Sequence, residues 1–338
     1  MFSKVKQTSD SFDKDSQVQL PSDFGRRFLI SIDTEEEFDW DGPFKRSGHT
    51  NVSVGKLQRF QSFVEKYAIK PTYFIDYSII EDDEAAAFLK SVVCKGTASV
   101  GVHLHPWINP PFEEEINPYN SYAGNLPKEL EEAKIVALTE AIEAKLAMRP
   151  IIYRAGRYGV GPNSIEILKK HGFVIDSSVR SRFDYREQSG PNFAHIGPEP
   201  FWLDGSQDLV ELPLTTVFSG LFRKQADLIS PLFNRSKAAS GLLSRSGMLE
   251  RIPLTPEGVS AREAKEAIDI AFDDQLKLLV FSFHSPSLSV GHTPYVQSSA
   301  DLDQFYDWWR EVIDHLLERE ASPISVDELI AATGLNSK

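Results

Sequence analysis

One cysteine, Cys94, is all the chain contains, so no disulfide can form within it. It lies in a helical-looking run from Glu81 to Lys95 and reads as a small buried apolar residue rather than a catalytic thiol. Positive charge is also scarce. The formal net charge is −13, which leaves no basic excess to meet phosphates. That balance argues against nucleic-acid partners and against binding to anionic membranes. Long apolar runs are missing too. No stretch is long enough to span a bilayer, and the opening MFSKVKQTSDSFDKDSQVQLPSDFG has no apolar segment suited to a signal peptide or an anchor. These absences predict a soluble, cytoplasmic protein with no integral membrane segment. No internal repeat is visible.

What is present suits one large α/β domain or two small ones: 338 residues, of which 41% are hydrophobic, suffice for a buried core. Residues 1–25 read as a disordered or loosely docked arm. An alternation then begins. Strands are predicted at 27–33 (RFLISID), 71–76 (PTYFID), 98–105 (ASVGVHLH), 151–154, 173–176, 209–214 and 278–284 (LLVFSFH). Helices are predicted at 53–67, 82–95, 127–147, 163–171, 260–275 and 301–317, with Pro127 at a first turn and Gly172 as a stop. Short apolar strands alternating with helices imply a parallel sheet, as a barrel or a doubly wound sheet. Two stretches, about 177–208 and 216–256, break the rhythm and read as insertions in a single domain spanning 26–335.

Residues of catalytic type collect where the predicted strands end. Asp33 closes the first, followed by Glu35, Glu36 and Glu37. His103 and His105 close the third, Arg154 the fourth, Asp176 the fifth and His284 the seventh. In a parallel barrel these ends meet at one face, where active sites form. His103 and His105 are two apart, so on a strand both imidazoles share a face and can grip one metal ion. Asp33 and Glu35 have the same spacing, and two carboxylates there can divide the work, one holding a metal and the other taking a proton from water. Arg154 is placed to keep such a base ionised. His284 can protonate a leaving amine, with Asp176 to orient it, unless Asp176 simply caps the next turn. Of Glu35 to Glu37, at least one is expected to be part of a solvated acidic loop, and Asp39 and Asp41 are read as loop residues.

In this order the motifs resemble those of the polysaccharide deacetylase family, also called NodB-homology proteins or carbohydrate esterase family four, and are most similar to its WalW-type branch. The resemblance spans about residues 27–300. It rests on SIDTEEEFDW, HLHPW, YRAGRYG, IDSSV, FSFHSPSL and GHTPYV. It implies an incomplete, distorted seven-stranded (β/α) barrel with helical insertions. It also implies roles. Asp33 matches the base. Glu35 takes the metal-carboxylate position, since Thr34 follows the base. His103 matches the first metal histidine. The usual second histidine position is Trp107, so His105 becomes the substitute ligand. Arg154 holds the base, a backbone N–H near Arg157 or Tyr158 supplies the oxyanion donor, Asp176 belongs to the fourth motif and His284 is the acid.

The expected function is therefore metal-dependent hydrolysis of an N-acetyl group on a sugar of a bacterial surface polysaccharide, a lipopolysaccharide or a precursor, with zinc as the expected ion. Trp107, Arg157 and Tyr158 are the expected substrate contacts. Trp40, Tyr119, Tyr122 and Trp202 are further aromatic candidates for sugar stacking, about half of them expected to be structural. Two alternatives stand beside this reading: a metal-independent amidohydrolase on a small non-sugar amide, and a non-catalytic glycan-binding protein. A narrow pocket closed by the 177–208 insertion would favour the small amide, and an open groove a glycan.

Overall fold

The computed structural model describes residues 16–40, 42–226 and 246–335. Asp41, residues 1–15 of the expected arm and residues 227–245 of the second expected insertion lie outside them.

The first strand, β1 (Arg26–Thr34), is buried on both faces along most of its length. That is why it reads as a continuous apolar run rather than an alternating one. It lies between β10 (Leu278–His284) and β2 (Thr72–Ile75), followed outward by β3 (Ser99–Leu104), β4 (Ile152–Ala155), β5 (Ile175–Asp176) and β7 (Val210–Glu211). All seven run parallel. β6 (Phe201–Trp202) adds antiparallel to β7, and β11 (Ala321–Pro323) pairs with the start of β1. A separate antiparallel pair, β8 (Thr216–Ser219) with β9 (Glu250–Pro253), follows.

The sheet curls into a distorted (β/α) barrel, and a few bonds rather than a full ladder close it. Beyond β7, the Leu214 N–H donates to the Val179 carbonyl at 2.8 Å. The next residue, Thr215, donates its N–H to Val280 of β10 at 3.1 Å, and its hydroxyl accepts from the Val280 N–H at 2.9 Å. One short segment thus joins the two edges of the parallel set.

Alternation along each strand sorts the side chains. Phe28, Ile30 and Ile32 pack outward with the helices, whereas Leu29, Phe74, Ile152, Ile175, Leu278 and Val280 fill the interior. Gly101 makes that filling possible. A Cβ there would lie 2.7 Å from Ile152 and 2.9 Å from the Phe74 ring. The floor is sealed by Val18 and Phe24 from the segment before β1 and by Val326, Leu329 and Ile330. Those last three belong to α8 (Val326–Thr333), whose Ser325–Glu328 capping box starts it and Gly334 ends it at φ 76°.

The outer layer comprises α1 (Val54–Val64), α2 (Tyr77–Glu81), α3 (Asp83–Cys94), α4 (Lys128–Leu146), α5 (Ser164–Lys170), α6 (Ala261–Asp273) and α7 (Ser299–Glu318). The helix expected at 82–95 is preceded by the short α2, because Asp76 and then Asp82 each cap a helix N-terminus. Cys94 is exposed, not buried: it is the last residue of α3 and points away from the sheet-facing stripe of Ala85, Leu89 and Val92.

Candidate active site

β1 and β10 end in register, with Asp33 opposite His284, and β3 and β4 place His103 opposite Arg154. These four positions share the inward parity of their strands, so their side chains converge on the barrel mouth. Three of them, Asp33, His103 and His284, reach a cavity of about 260 Å³. Asp33, Glu35, His103, His105 and His284 line it, as do Trp107, Arg157 and Tyr158.

Arg154 lies beneath them, fully buried. Its guanidinium is fixed on every side. Nη1 donates to Asp33, Nη2 to the hydroxyls of Ser31 and Ser177 at 2.9 Å each, and Nε to the Ser177 carbonyl at 2.9 Å. The plane sits 4.1 Å from the centroid of Phe74. Burial alone would raise the Asp33 carboxyl. Arg154, with His103 and His284, outweighs it and holds Asp33 below the usual carboxylate range. The carboxylate is therefore ionised and oriented.

A second group surrounds Glu35. Its Oε2 lies 3.3 Å from Nε2 of His103 and 3.3 Å from Nε2 of His105. Each of the three residues brings a ligand atom within 4.8 Å of the others, and all are buried. The donor set of one carboxylate and two imidazoles suits a divalent ion such as zinc. His105 is also prepared from behind. Its Nδ1 lies 2.9 Å from Glu36, which accepts from the Trp107 indole N–H at 2.9 Å, while Asp76 accepts from the Glu36 backbone N–H at 2.8 Å. A carboxylate on the far nitrogen fixes the ring and leaves Nε2 for the ion. Burial alone would lower the His105 pKa, but Glu36 and Glu35 raise it well above the ordinary value. Gly156 completes the fit, since a Cβ there would lie 2.3 Å from His105 Cδ2 and 2.6 Å from the Leu104 carbonyl.

His284 stands between two acids. Its Nδ1 is 2.7 Å from Glu257, and its Nε2 is 3.8 Å from Asp33. Glu257 also accepts from the His284 backbone N–H at 3.1 Å and from the Ser287 hydroxyl at 2.6 Å. Burial works against the charged imidazole. Glu257 above all, then Glu35 and Asp33, hold it protonated with a pKa of about 10. The Trp40 ring meets the imidazole edge-on at 5.0 Å.

Asp176 is not the partner of His284. It follows the inward-facing Ile175, so its side chain leaves the barrel on the opposite face, where it accepts from the Ser178 hydroxyl and meets Glu211. Burial is the main cause that pushes it up to about 6. Ser177 is the residue of this strand end that reaches the site, through Arg154. The partner of His284 is Glu257, which sequence reading missed because it lies outside every predicted strand.

The acidic run also differs from expectation. Glu35, Glu36 and Glu37 are all buried, so none is a solvated loop residue. Glu37 holds the loop shut, accepting from the N–H groups of Val52 and Ser53 at 2.8 and 2.6 Å and from Thr50. Asp39 lines the cavity. Of the aromatic candidates, Trp40, Trp107 and Tyr122 line it, Trp202 packs in the barrel core and Tyr119 is exposed. From GHTPYV, Tyr295 reaches the cavity and His292 does not.

No family model and no curated protein matches the chain. Solved structures do. A 4-alpha-glucanotransferase from Thermococcus litoralis is 14% identical, with a TM-score of 0.52, over 91% of this chain and 40% of that one. It shares the fold. Two further structures are a family 4 acetyl xylan esterase from Clostridium thermocellum in complex with a cobalt ion and a peptidoglycan N-acetylglucosamine deacetylase. The esterase is 13% identical with a TM-score of 0.43, covering 93% of this chain and 94% of that one. The deacetylase is 11% identical with a TM-score of 0.45, covering 94% and 92%. No helix among the described residues is long and apolar enough to cross a membrane.

Proposed function

We propose that the chain is a metal-dependent N-deacetylase of the polysaccharide deacetylase family, in its WalW-type branch, acting on an N-acetylated sugar of a bacterial surface polysaccharide or lipopolysaccharide or its precursor. The observation that carries this reading is the meeting of three groups at one cavity: Asp33, held from beneath by Arg154, the Glu35–His103–His105 cluster and the Glu257–His284 pair.

Glu35, His103 and His105 would hold the ion. When bound, a divalent ion there supplies Lewis acidity and positive charge for the acyl oxygen. Asp33, ionised against Arg154, takes the proton of the attacking water as the new C–O bond forms. A backbone N–H near Tyr158 donates to the developing oxyanion. Arg157 and Tyr158 both adopt left-handed backbone there, at φ 54° and 61°, a conformation held only when the surroundings enforce it. His284, charged and oriented by Glu257, gives its proton to the nitrogen as the C–N bond breaks. Acetate and a free amine leave. Trp107 offers a ring to the substrate from its place beside His105, with centroids 4.3 Å apart.

One feature favours a small substrate. Arg180, Tyr185 and Gln188, from the stretch expected to be an insertion, wall one side of the cavity. That enclosure suits a single sugar or chain end and also a small non-sugar amide, which is the second reading.

The test is elemental analysis of the purified protein and of a His103→Ala, His105→Ala double variant. About one equivalent of divalent metal in the wild type and none in the variant is expected, followed by acetate release from N-acetylated sugars. A metal-free wild type, even after incubation with zinc, would overturn the ligand assignment and favour the metal-independent amidohydrolase or a binding protein.

A further inference from the structure

The acids of the catalytic group each face a basic partner of their own. Asp33 meets Arg154, Glu257 meets His284 and Glu35 meets the two imidazoles. Two more cations line the same cavity, Arg157 and Arg180. Among the described residues, the hydrogen-bond partners of both are neutral groups.

Both guanidiniums are nevertheless held in place by neutral groups. Arg157 lies 4.2 Å from the Tyr122 centroid and 5.1 Å from that of Phe44. It donates to the Ser121 hydroxyl and to the Gln188 side-chain oxygen, the latter at 2.8 Å. Arg180 lies 4.1 Å from the centroid of Phe183 and 5.4 Å from that of Tyr158, and reaches the Tyr185 hydroxyl at 3.5 Å. The rings of Tyr158 and Tyr185 stack on one another with centroids 5.5 Å apart. Aromatic faces and amide oxygens position a guanidinium but do not neutralise it. In a chain of net charge −13, two oriented arginines at one cavity wall, held by neutral groups among the described residues, need another explanation. A planar guanidinium fork matches carboxylate and phosphate oxygens.

We infer that Arg157 and Arg180 form an anion subsite, and that the substrate is an N-acylated sugar carrying a carboxylate or phosphate near its acetamide group. This inference rests on the deacetylase reading for the acetamide but not for the anion. The negative protein would repel such a substrate at long range, so the local pair decides binding. The anion would also fix the register of the sugar, aligning its acyl carbon with Asp33.

The experiment measures binding to Asp33→Asn by calorimetry. The probes are N-acetylglucosamine, N-acetylglucosamine 6-phosphate and N-acetylmuramic acid, which compare no anion, a phosphate and a carboxylate. At least one anionic sugar should bind about ten- to a hundredfold more tightly than the uncharged one. That ratio should fall toward one in Arg157→Gln and in Arg180→Gln, shrink with added salt, and persist in part in Arg180→Lys. Equal binding of all three, no binding of any, or a preference that survives both glutamine variants would overturn the subsite. Acetate release by the wild type is read separately. Arginine-dependent binding without turnover would overturn the deacetylase and leave the subsite standing. Turnover confined to the uncharged sugar would do the reverse.

Discussion

Replacing Glu257 by glutamine removes the charge facing His284 Nδ1 but keeps an oxygen to accept the ring N–H. Burial by itself would lower the pKa of His284. Glu257 first, then Glu35 and Asp33, lift it from 6.5 to about 10. The difference, 10 − 6.5, is 3.5. Fully expressed, that is worth about 5 kcal/mol. The side chain is 22% exposed, so water screens part of it, and about 2 kcal/mol is expected to remain. The sign follows from the folded pKa lying above the unfolded one. The contribution is complete below pH 6.5 and is lost as the pH rises through about 10. In Glu257→Gln the imidazole should titrate about 1–2 units lower, because Glu35 and Asp33 remain. The stability gap between wild type and variant should be open at pH 7 and close toward pH 10.5. It can reverse there, since a neutral His284 leaves the buried Glu257 without its cation. Proton resonances of the imidazole, assigned with His284→Gln, read the titration; denaturant unfolding reads the gap. An unmoved titration, or a gap independent of pH, would refute the assignment of Glu257 as the partner of His284.

Three further outcomes are expected. Glu36→Gln should weaken metal binding about 10- to 100-fold without removing a ligand, since it loosens the ring of His105; equilibrium dialysis with zinc reads this, and unchanged affinity would exclude the role. Glu131→Gln should stabilise the protein at alkaline pH. Burial raises the Glu131 carboxyl to about 7 from 4.5, so the wild type loses stability as the pH rises across that window, by about 3 kcal/mol at most. The variant should match the wild type below pH 4.5 and exceed it at pH 8 in denaturant unfolding; equal pH slopes would contradict the argument. Gly156→Ala should cost about 1–3 kcal/mol and lower metal occupancy, because its methyl group needs the space of the His105 ring; full occupancy at wild-type stability would show that the loop yields.

Much of the site could be read from the chain because strand parity works locally. The H-x-H spacing of His103 and His105 was enough to place two imidazoles on one face, and both side chains point to Glu35. Asp33, Arg154 and His284 end strands on their inward parity. The same rule, applied one residue further, excludes Asp176: Ile175 points inward, so Asp176 cannot. A missed neighbour explains the other error. Glu257 lies in a loop between β9 and α6, 27 residues from His284, and carries no local signal of its own. Glu36 and Glu37 resembled a solvated run because three acids in sequence usually are one. Burial of each depends on separate donors: the imidazole and indole for Glu36, and backbone N–H groups near Thr50 for Glu37.

The sequence by itself determined the alternation of strands and helices, the parallel sheet and the inward-facing Asp33, His103, Arg154 and His284 at strand ends. Those follow from periodicity, which is a property of neighbours in the chain. Tertiary structure alone decided which charges face one another. Barrel closure through Thr215, the pairing of Glu257 with His284, the support of His105 by Glu36 and the two arginines at the cavity wall all join residues far apart in sequence. Electrostatic partnership depends on distance and burial in space, and no spacing along the chain encodes either.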